Sequence, residues 1–206
     1  MSIDVVIIDY GCGNLFSVET AVKKITRNYL ITSKPEEISR AKKIILPGVG
    51  SFKVAMESLN EIGLADYIKS ECSMGKPILG ICLGMQLLLS KGYEHGETQG
   101  LGLINGEVVA FTPSNQYRVP HIGWNDVTFS QEEPSYMNGI KQGTAFYFVH
   151  SYYCKIQETL ASIMIDYCDI KVCVGFEKDN IKGVQFHPEK SQDAGLKILR
   201  NFILSE

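Results

Sequence analysis

The sequence predicts an α/β fold: a mostly parallel central sheet flanked by helices, with a smaller antiparallel sheet beside it. Three observations carry this. In the first half, short apolar runs of strand length alternate with glycine turns and stretches patterned at helical spacing. In the second half, strand-like runs follow one another without a helix between them. Finally, the chain has 206 residues, 45% of them apolar and 21% charged. That suits one large domain with a substantial core, and no linker, repeat or low-complexity segment divides 1–206.

Asp4–Asp9 is a buried strand, followed by the turn Tyr10-Gly11-Cys12-Gly13. Asn14 is placed to cap a helix with the apolar stripe Leu15, Val18, Val22 and Ile25. Lys43–Leu46 is a second strand, ended by Pro47-Gly48-Val49-Gly50, after which Ser51 is placed to cap a helix through Met56 and Leu59. Leu64–Cys72 fits another helix, which Gly75-Lys76-Pro77 breaks. Next come a strand ending at Ile81, a helical run to Leu89, and a glycine-rich turn region from Gly92 to Gly102. Gly106–Phe111 and Tyr117–Phe129 read as strands, the second interrupted by Pro120–Asn125. Ala145–Val149, Leu160–Ile165, Val172–Phe176 and Lys182–Phe186 complete the β-rich half. An amphipathic helix closes the chain, with Asp193 as its expected cap and Leu196, Leu199, Phe202 and Ile203 as its stripe.

The most informative stretch is Gly80-Ile81-Cys82-Leu83-Gly84. A strand leading into a sharp turn and then a helix, with glycines two residues either side of a nucleophilic side chain, is the pattern of a nucleophile elbow. A tight turn crowds neighbouring Cβ positions, and the glycines remove two of them. A thiol at a helix start faces unpaired N–H groups and the positive end of the helix dipole, both of which favour thiolate. The N–H of Leu83 is placed to donate to an oxyanion. Taken alone, Gly-x-Cys-x-Gly fits a core cysteine beside packing glycines equally well.

A second cluster, Gly183-Val184-Gln185-Phe186-His187-Pro188-Glu189, supplies an imidazole and a carboxylate two residues apart on an extended segment, hence on one side. Glu189 is suited to accept the Nδ1–H of His187, which leaves Nε2 to exchange a proton with sulfur. Cys82 as nucleophile, His187 as base then acid, and Glu189 as orienter form one constellation for acyl transfer. The glycines of Pro47–Gly50 would let a peptide unit approach the same oxyanion.

The net charge of −3 gives no sign of a nucleic-acid or anionic-membrane surface. No apolar run approaches membrane-spanning length. The start, Met1-Ser2-Ile3-Asp4, lacks the positive region of a signal peptide. The six cysteines (12, 72, 82, 154, 168 and 173) form no Cys-x-x-Cys pair, and the four histidines add no metal-ligand spacing. Reduced thiols, no metal and a cytoplasmic location are therefore expected.

Pro47–Gly50, Gly80–Gln86 and His187–Glu189 resemble the three signatures of class I (triad-type) glutamine amidotransferases. Asp9–Asn14, Pro120–Asn125, Phe146–Tyr152 and Phe186–Ser191 are further similar to the glutaminase subunits of imidazole glycerol phosphate synthase, so the likeness runs from residue 9 to 191. It implies a single class I amidotransferase domain over 1–206, with no cofactor. Cys82 would attack the side-chain amide of L-glutamine and His187 would protonate the departing ammonia, with Glu189 as the third triad member. Leu83 N–H and an N–H of Val49 or Gly50 would hold the oxyanion. Gly48, Gly50, Gln86, His150, Ser151 and Tyr152 match positions that bind glutamine. Asn14, Trp124, Lys190 and Ser191 would lie on the docking face for a (βα)₈-barrel cyclase, which receives the ammonia for histidine biosynthesis. A paralogous subunit that supplies ammonia for amidination of a bacterial surface sugar would share this site, and the segment Glu94–Gln99 could suit such a paralogue.

Overall fold

A computed structural model describes residues 3–113, 117–130 and 132–205. Met1 and Ser2, part of the N-terminal reading, lie outside the described residues. The first half contains β1 (Ile3–Ile8), α1 (Leu15–Lys23), β2 (Tyr29–Thr32), α2 (Pro35–Ile38), β3 (Ala41–Leu46), α3 (Phe52–Glu61), α4 (Leu64–Ser73), β4 (Ile78–Ile81) and α5 (Leu83–Leu87). The second half contains β5 (Leu89–Gly92), β6 (Thr98–Gln99), β7 (Ile104–Ala110), β8 (His121–Asp126), β9 (Thr128–Phe129), β10 (Ala145–His150), β11 (Tyr152–Ile156), β12 (Ala161–Tyr167), β13 (Ile170–Lys178), β14 (Ile181–Val184) and α6 (Gln192–Leu204).

The large sheet runs in the order β2-β1-β3-β4-β14-β13-β11-β7-β5-β6, with β12 and β9 joined beside β13. Strands β2, β1, β3, β4 and β14 are mutually parallel. The fold class is as the sequence predicts. Among the described residues only β8 and β10, however, form a separate antiparallel sheet; the other late strands extend the main one. What matters for the site is that β14 returns beside β4, with Val184 level with Ile81. Two segments about a hundred residues apart therefore leave the sheet at the same edge, where open α/β sheets place their ligands.

The near-continuous apolar runs of the parallel strands follow from burial on both faces. In β1, Val6 and Ile8 face one layer, which contains Phe52, Met56 and Leu59 of α3 and Leu64 and Ile68 of α4. Val5 and Ile7 face the other, with Val18 and Val22 of α1 and Ile198, Leu199 and Phe202 of α6. Each such fully buried side chain contributes roughly 1.5–3 kcal/mol of apolar burial. Lys43, otherwise a charge in this core, reaches the C-terminal end of α6 and donates to the Phe202 carbonyl and Ser205 Oγ, both at 2.7 Å. A cation there meets the carbonyls that the helix end leaves unpaired.

Several local expectations change. The helical run after Cys82 stops at Leu87, and Leu89 begins β5, because its neighbours pair with β7 instead of extending the helix. Residues 120–125 do not interrupt a strand. A cis Val119–Pro120 bond precedes β8, which starts at His121 and pairs with β10 through Asp126. Asn14 caps α1 as expected, accepting from Ser17 N at 3.4 Å. Ser51 makes no side-chain capping bond. The first N–H of α3, at Phe52, instead donates to the Glu94 carboxylate at 2.7 Å, from a segment that sequence distance hides. Asp193 lies in the first turn of α6, while the N-cap position belongs to Ser191.

Candidate active site

Cys82 sits between β4 and α5 with φ 56° and ψ −111°, a conformation that costs a non-glycine residue about 1–3 kcal/mol and is tolerated where surroundings enforce it. Here the enforcement is steric. A Cβ on Gly80 would stand 2.6 Å from the Gly84 carbonyl oxygen, and one on Gly84 would stand 1.8 Å from that of Leu46. A Cβ on Gly48 would stand 2.7 Å from the Tyr10 hydroxyl and 3.0 Å from Gly84 N. The three glycines therefore let the elbow, the end of β3 and the following loop occupy one small volume. Cys82 N donates to Val184 O at 2.8 Å, fixing the elbow against β14.

Three residues beyond β14, His187 Nδ1 lies 2.7 Å from Glu189 Oε1, with both side chains buried. His187 N donates to Tyr147 O at 2.9 Å, and Ser191 Oγ donates to the His187 carbonyl at 2.7 Å. Burial, the largest single influence, pulls the imidazole toward its neutral form. Cys82 and Glu189, each as hydrogen-bond partner and as nearby negative charge, outweigh it and push His187 up to about 10. The sulfur thus faces the imidazole closely, although Nε2 makes no bond of full hydrogen-bond geometry. His187 and Glu189 are paired as the sequence predicts, and Cys82 lies near enough to act on the charge of the imidazole without a full hydrogen bond to it.

The expected oxyanion donors stand differently. Leu83 N–H donates to the Gly48 carbonyl at 3.3 Å, so it is engaged rather than free, contrary to the expectation. Val49 is 41% exposed, and Gly50 has φ +101° with open space where a Cβ would be. Gly50 thus adopts a φ that glycine takes readily and other residues rarely do.

Gln86, buried on α5, donates its amide to Tyr152 O at 3.1 Å and to Gln185 Oε1 at 2.9 Å. His150 Nδ1 lies 2.8 Å from the same Tyr152 carbonyl, and its Nε2 lies 3.0 Å from His121 Nδ1. His121 stacks between Phe148 and Tyr167, with ring centroids at 5.0 and 4.0 Å. Burial holds His121 down at about 4 and His150 at about 3, so both are neutral near pH 7. Gln185 lies at the sulfur: its Nε2 donates to Cys82 Sγ at 3.7 Å. Sequence reading missed it. The signal was there, since a glutamine two residues before His187 lies on the same side of an extended segment, and it interrupts an apolar strand.

Of the residues expected at a docking face, Trp124 is half-exposed and packs edge-on against Tyr147 at 6.0 Å, while the Lys190 ammonium lies 5.8 Å from the same ring. Asn14 is partly exposed. Ser191 is not at the surface: it is 1% exposed and spends its hydroxyl on the His187 carbonyl and on Tyr147 N, at 3.0 Å for the latter. It supports the imidazole loop from inside. Glu94, in the segment that could have marked a surface-sugar paralogue, caps α3.

The family model for class-I glutamine amidotransferases matches residues 6–205. The chain belongs to the class I glutamine amidotransferases. It is 46% identical over 199 residues to imidazole glycerol phosphate synthase subunit HisH 1 of Campylobacter jejuni, covering 96% of this chain and 98% of the relative. It is 45% identical over 200 residues to subunit HisH of a Geobacillus strain, covering 95% and 94%. Among solved structures it resembles PurLQS from Thermotoga maritima (TM-score 0.73, 18% identity, 98% of each chain). It also resembles a glutamine amidotransferase from the same organism (TM-score 0.67, 14% identity, 100% of each chain). At those identities the structural likeness speaks for the fold alone.

Proposed function

We propose that this chain is the glutaminase subunit of an imidazole glycerol phosphate synthase, acting in the cytoplasm as one amidotransferase domain. The observation that carries the reading is the convergence of Cys82, His187 and Glu189 at one sheet edge, in a chain about 45% identical over nearly its full length to subunits of that synthase.

Cys82 attacks the side-chain carbonyl carbon of L-glutamine. The C–S bond forms as the carbonyl π pair moves to oxygen. His187 delivers a proton to the amide nitrogen, the C–N bond breaks, and ammonia leaves behind a glutamyl thioester. His187 then takes a proton from water, the hydroxide adds to the thioester, and glutamate departs as sulfur recovers its electron pair. Glu189 holds the imidazole by its Nδ1–H and stabilises its cationic form. In this reading Gly48, Gly50, Gln86 and the 150–152 segment bind the amino-acid end of glutamine.

Asn14, Trp124 and Lys190 belong to the face that docks a (βα)₈-barrel cyclase, which consumes the ammonia. Supporting this, Phe16, Ile122 and Trp124 are 78%, 61% and 49% exposed, and tryptophan is enriched at interface hot spots. Docking frees the Leu83 N–H by turning the Pro47–Gly50 loop. The test is co-purification with a (βα)₈-barrel cyclase subunit, followed by a glutamine-dependent assay for imidazole glycerol phosphate. Failure to bind that subunit, or product formation only with a sugar-modifying partner, overturns the assignment.

A further inference from the structure

The mechanism above uses three side chains, yet a fourth polar group contacts the sulfur. Gln185 is fully buried and rigidly held, its own backbone N–H donating to Val174 O at 2.8 Å. A buried amide needs its partners, and which end of it meets the sulfur decides its effect.

A backbone carbonyl settles that orientation. The Tyr152 carbonyl can only accept, so the Gln86 atom 3.1 Å from it is Nε2. The second N–H of the same Gln86 nitrogen then meets Gln185 at 2.9 Å, so the Gln185 atom there is Oε1. This leaves Gln185 Nε2 as the atom 3.7 Å from Cys82 Sγ, with a hydrogen to give. The same carbonyl fixes the polarity on its other side. His150 Nδ1 donates to it at 2.8 Å, His150 Nε2 must accept, and His121 Nδ1 donates at 3.0 Å. One obligate acceptor thus orients two amides and two imidazoles.

We infer that Gln185 is a positioning residue for the nucleophile: its side-chain N–H, oriented through Gln86 by the Tyr152 carbonyl, donates to Cys82 Sγ, favours the thiolate and holds the sulfur toward His187. A donor aimed at an anion in a dry site is a charge-assisted bond and acts more strongly than it would in water. The other titratable groups facing the sulfur are His187, the Tyr10 phenol and Cys154. Burial pushes the latter two up, with further contributions from charges that include Cys82. A change at Gln185 leaves His187 and Tyr10 in place, and the test below replaces Cys154 alike in parent and variant. The inference deepens the glutaminase reading and rests on it for its catalytic meaning, but its test does not need glutamine.

The experiment is the rate of Cys82 alkylation by iodoacetamide against pH, with the other five cysteines replaced by serine or alanine. Gln185→Met keeps the length and apolar bulk and removes the donor. It is expected to lower alkylation at pH 7 by about fivefold to tenfold and to shift the titration to higher pH, because a thiolate without its donor is the less favoured form. Glutaminase activity in the barrel complex should fall in kcat with KM within about threefold, and ammonia-dependent turnover should not change. Should the single variant fail to fold, Gln86→Leu with Gln185→Met removes both amides and leaves neither orphaned; its alkylation profile should shift in the same way. The unaltered protein gives an independent readout: the Gln185 side-chain amide resonance should titrate with Cys82 and lose that titration in Cys82→Ala. Alkylation profiles that superimpose on the parent, or an amide resonance blind to the sulfur, overturn the inference. A shifted profile in a chain that releases no ammonia from glutamine would keep the inference and sink the glutaminase reading instead.

Discussion

The Gly48 carbonyl accepts the backbone N–H of Leu83 at 3.3 Å, so the loop that should supply one oxyanion donor occupies the other. On the proposed assignment, that carbonyl fills the place where negative charge would develop, beside the buried His187–Glu189 pair. Loss of one such donor lowers turnover by about 10²–10³. The chain alone should therefore release ammonia from glutamine at least two orders of magnitude more slowly than the complex with its barrel partner and acceptor. The difference should lie in kcat, since the loop contact concerns the developing charge and not substrate binding. Equal turnover with and without the partner would show that the contact opens unaided.

Gly84 and Gly50 should respond to alanine in opposite ways. At Gly84 the added carbon would stand 1.8 Å from the Leu46 carbonyl oxygen, which is backbone and cannot swing aside. Gly84→Ala should lose about 3 kcal/mol of stability or more, read from the urea midpoint. At Gly50 there is open space, but φ is +101°, and the strain of about 1–2 kcal/mol falls on the loop alone. Gly50→Ala should fold almost normally while its partner-activated turnover drops about tenfold, because a Cβ narrows the range of peptide orientations that glycine allows the turning loop. If Gly50→Ala leaves activation intact, the loop does not turn at that residue.

How much of this was legible follows from what is local. The elbow, the parallel strands and the His187–Glu189 pair rest on adjacent residues with fixed spacing, and they could be read directly. The Glu94 carboxylate on Phe52 N and Ser191 under the His187 carbonyl depend on how distant segments meet, which no spacing encodes. The engaged state of Leu83 N–H was illegible for a different reason: a glycine-rich loop permits several peptide orientations, and only the packing of Gly48 against Gly84 selects one. The short helix after Cys82 misled because Leu87, Leu88 and Leu89 suit a helix and a buried strand equally, and pairing with β7 decides between them. Gln185 obeys the same alternation that exposed His187 and Glu189, one step earlier.

Acid should destabilise the domain through His121 and His150. Burial holds them at about 4 and about 3 in the folded state, against 6.5 when exposed. Between those values the unfolded chain binds protons that the native one does not, so stability is fully present above pH 6.5 and is lost as pH falls toward 4 and then 3. The loss is on the order of a few kcal/mol. Protonating His150 at Nε2 also removes the acceptor for His121 Nδ1, so the two sites oppose each other's charge. Urea midpoints measured from pH 7 downward should fall, and His121→Phe, which keeps the stack on Phe148 and Tyr167, should flatten the slope. His187 works the other way. Its folded value is raised to about 10, so its contribution is complete below 6.5 and disappears as pH rises through 10. A parent protein with a flat profile on the acid side would show that the buried pair is more hydrated than its packing indicates.

The division of labour between the two subunits can be separated with Cys82 and Glu189. Cys82→Ala removes the nucleophile without changing the ribbon β8–β10 or the Trp124 surface. In the assembled complex, glutamine-dependent synthesis should vanish while synthesis from added ammonia continues at the parent rate. Glu189→Gln is subtler, because its amide oxygen can still accept the Nδ1–H now 2.7 Å from Glu189 Oε1, yet it brings no negative charge. His187 then keeps its tautomer and loses one of the charges that hold its proton. The expected result is a kcat lower by about 10²–10³ with KM little changed and ammonia-dependent synthesis intact, since orientation survives and stabilisation of the imidazolium does not. Loss of both activities together in Cys82→Ala would mean that the cysteine supports the partner's chemistry and not glutamine cleavage alone. A Glu189→Gln enzyme with parent-like kcat would reduce the carboxylate to a hydrogen-bond acceptor.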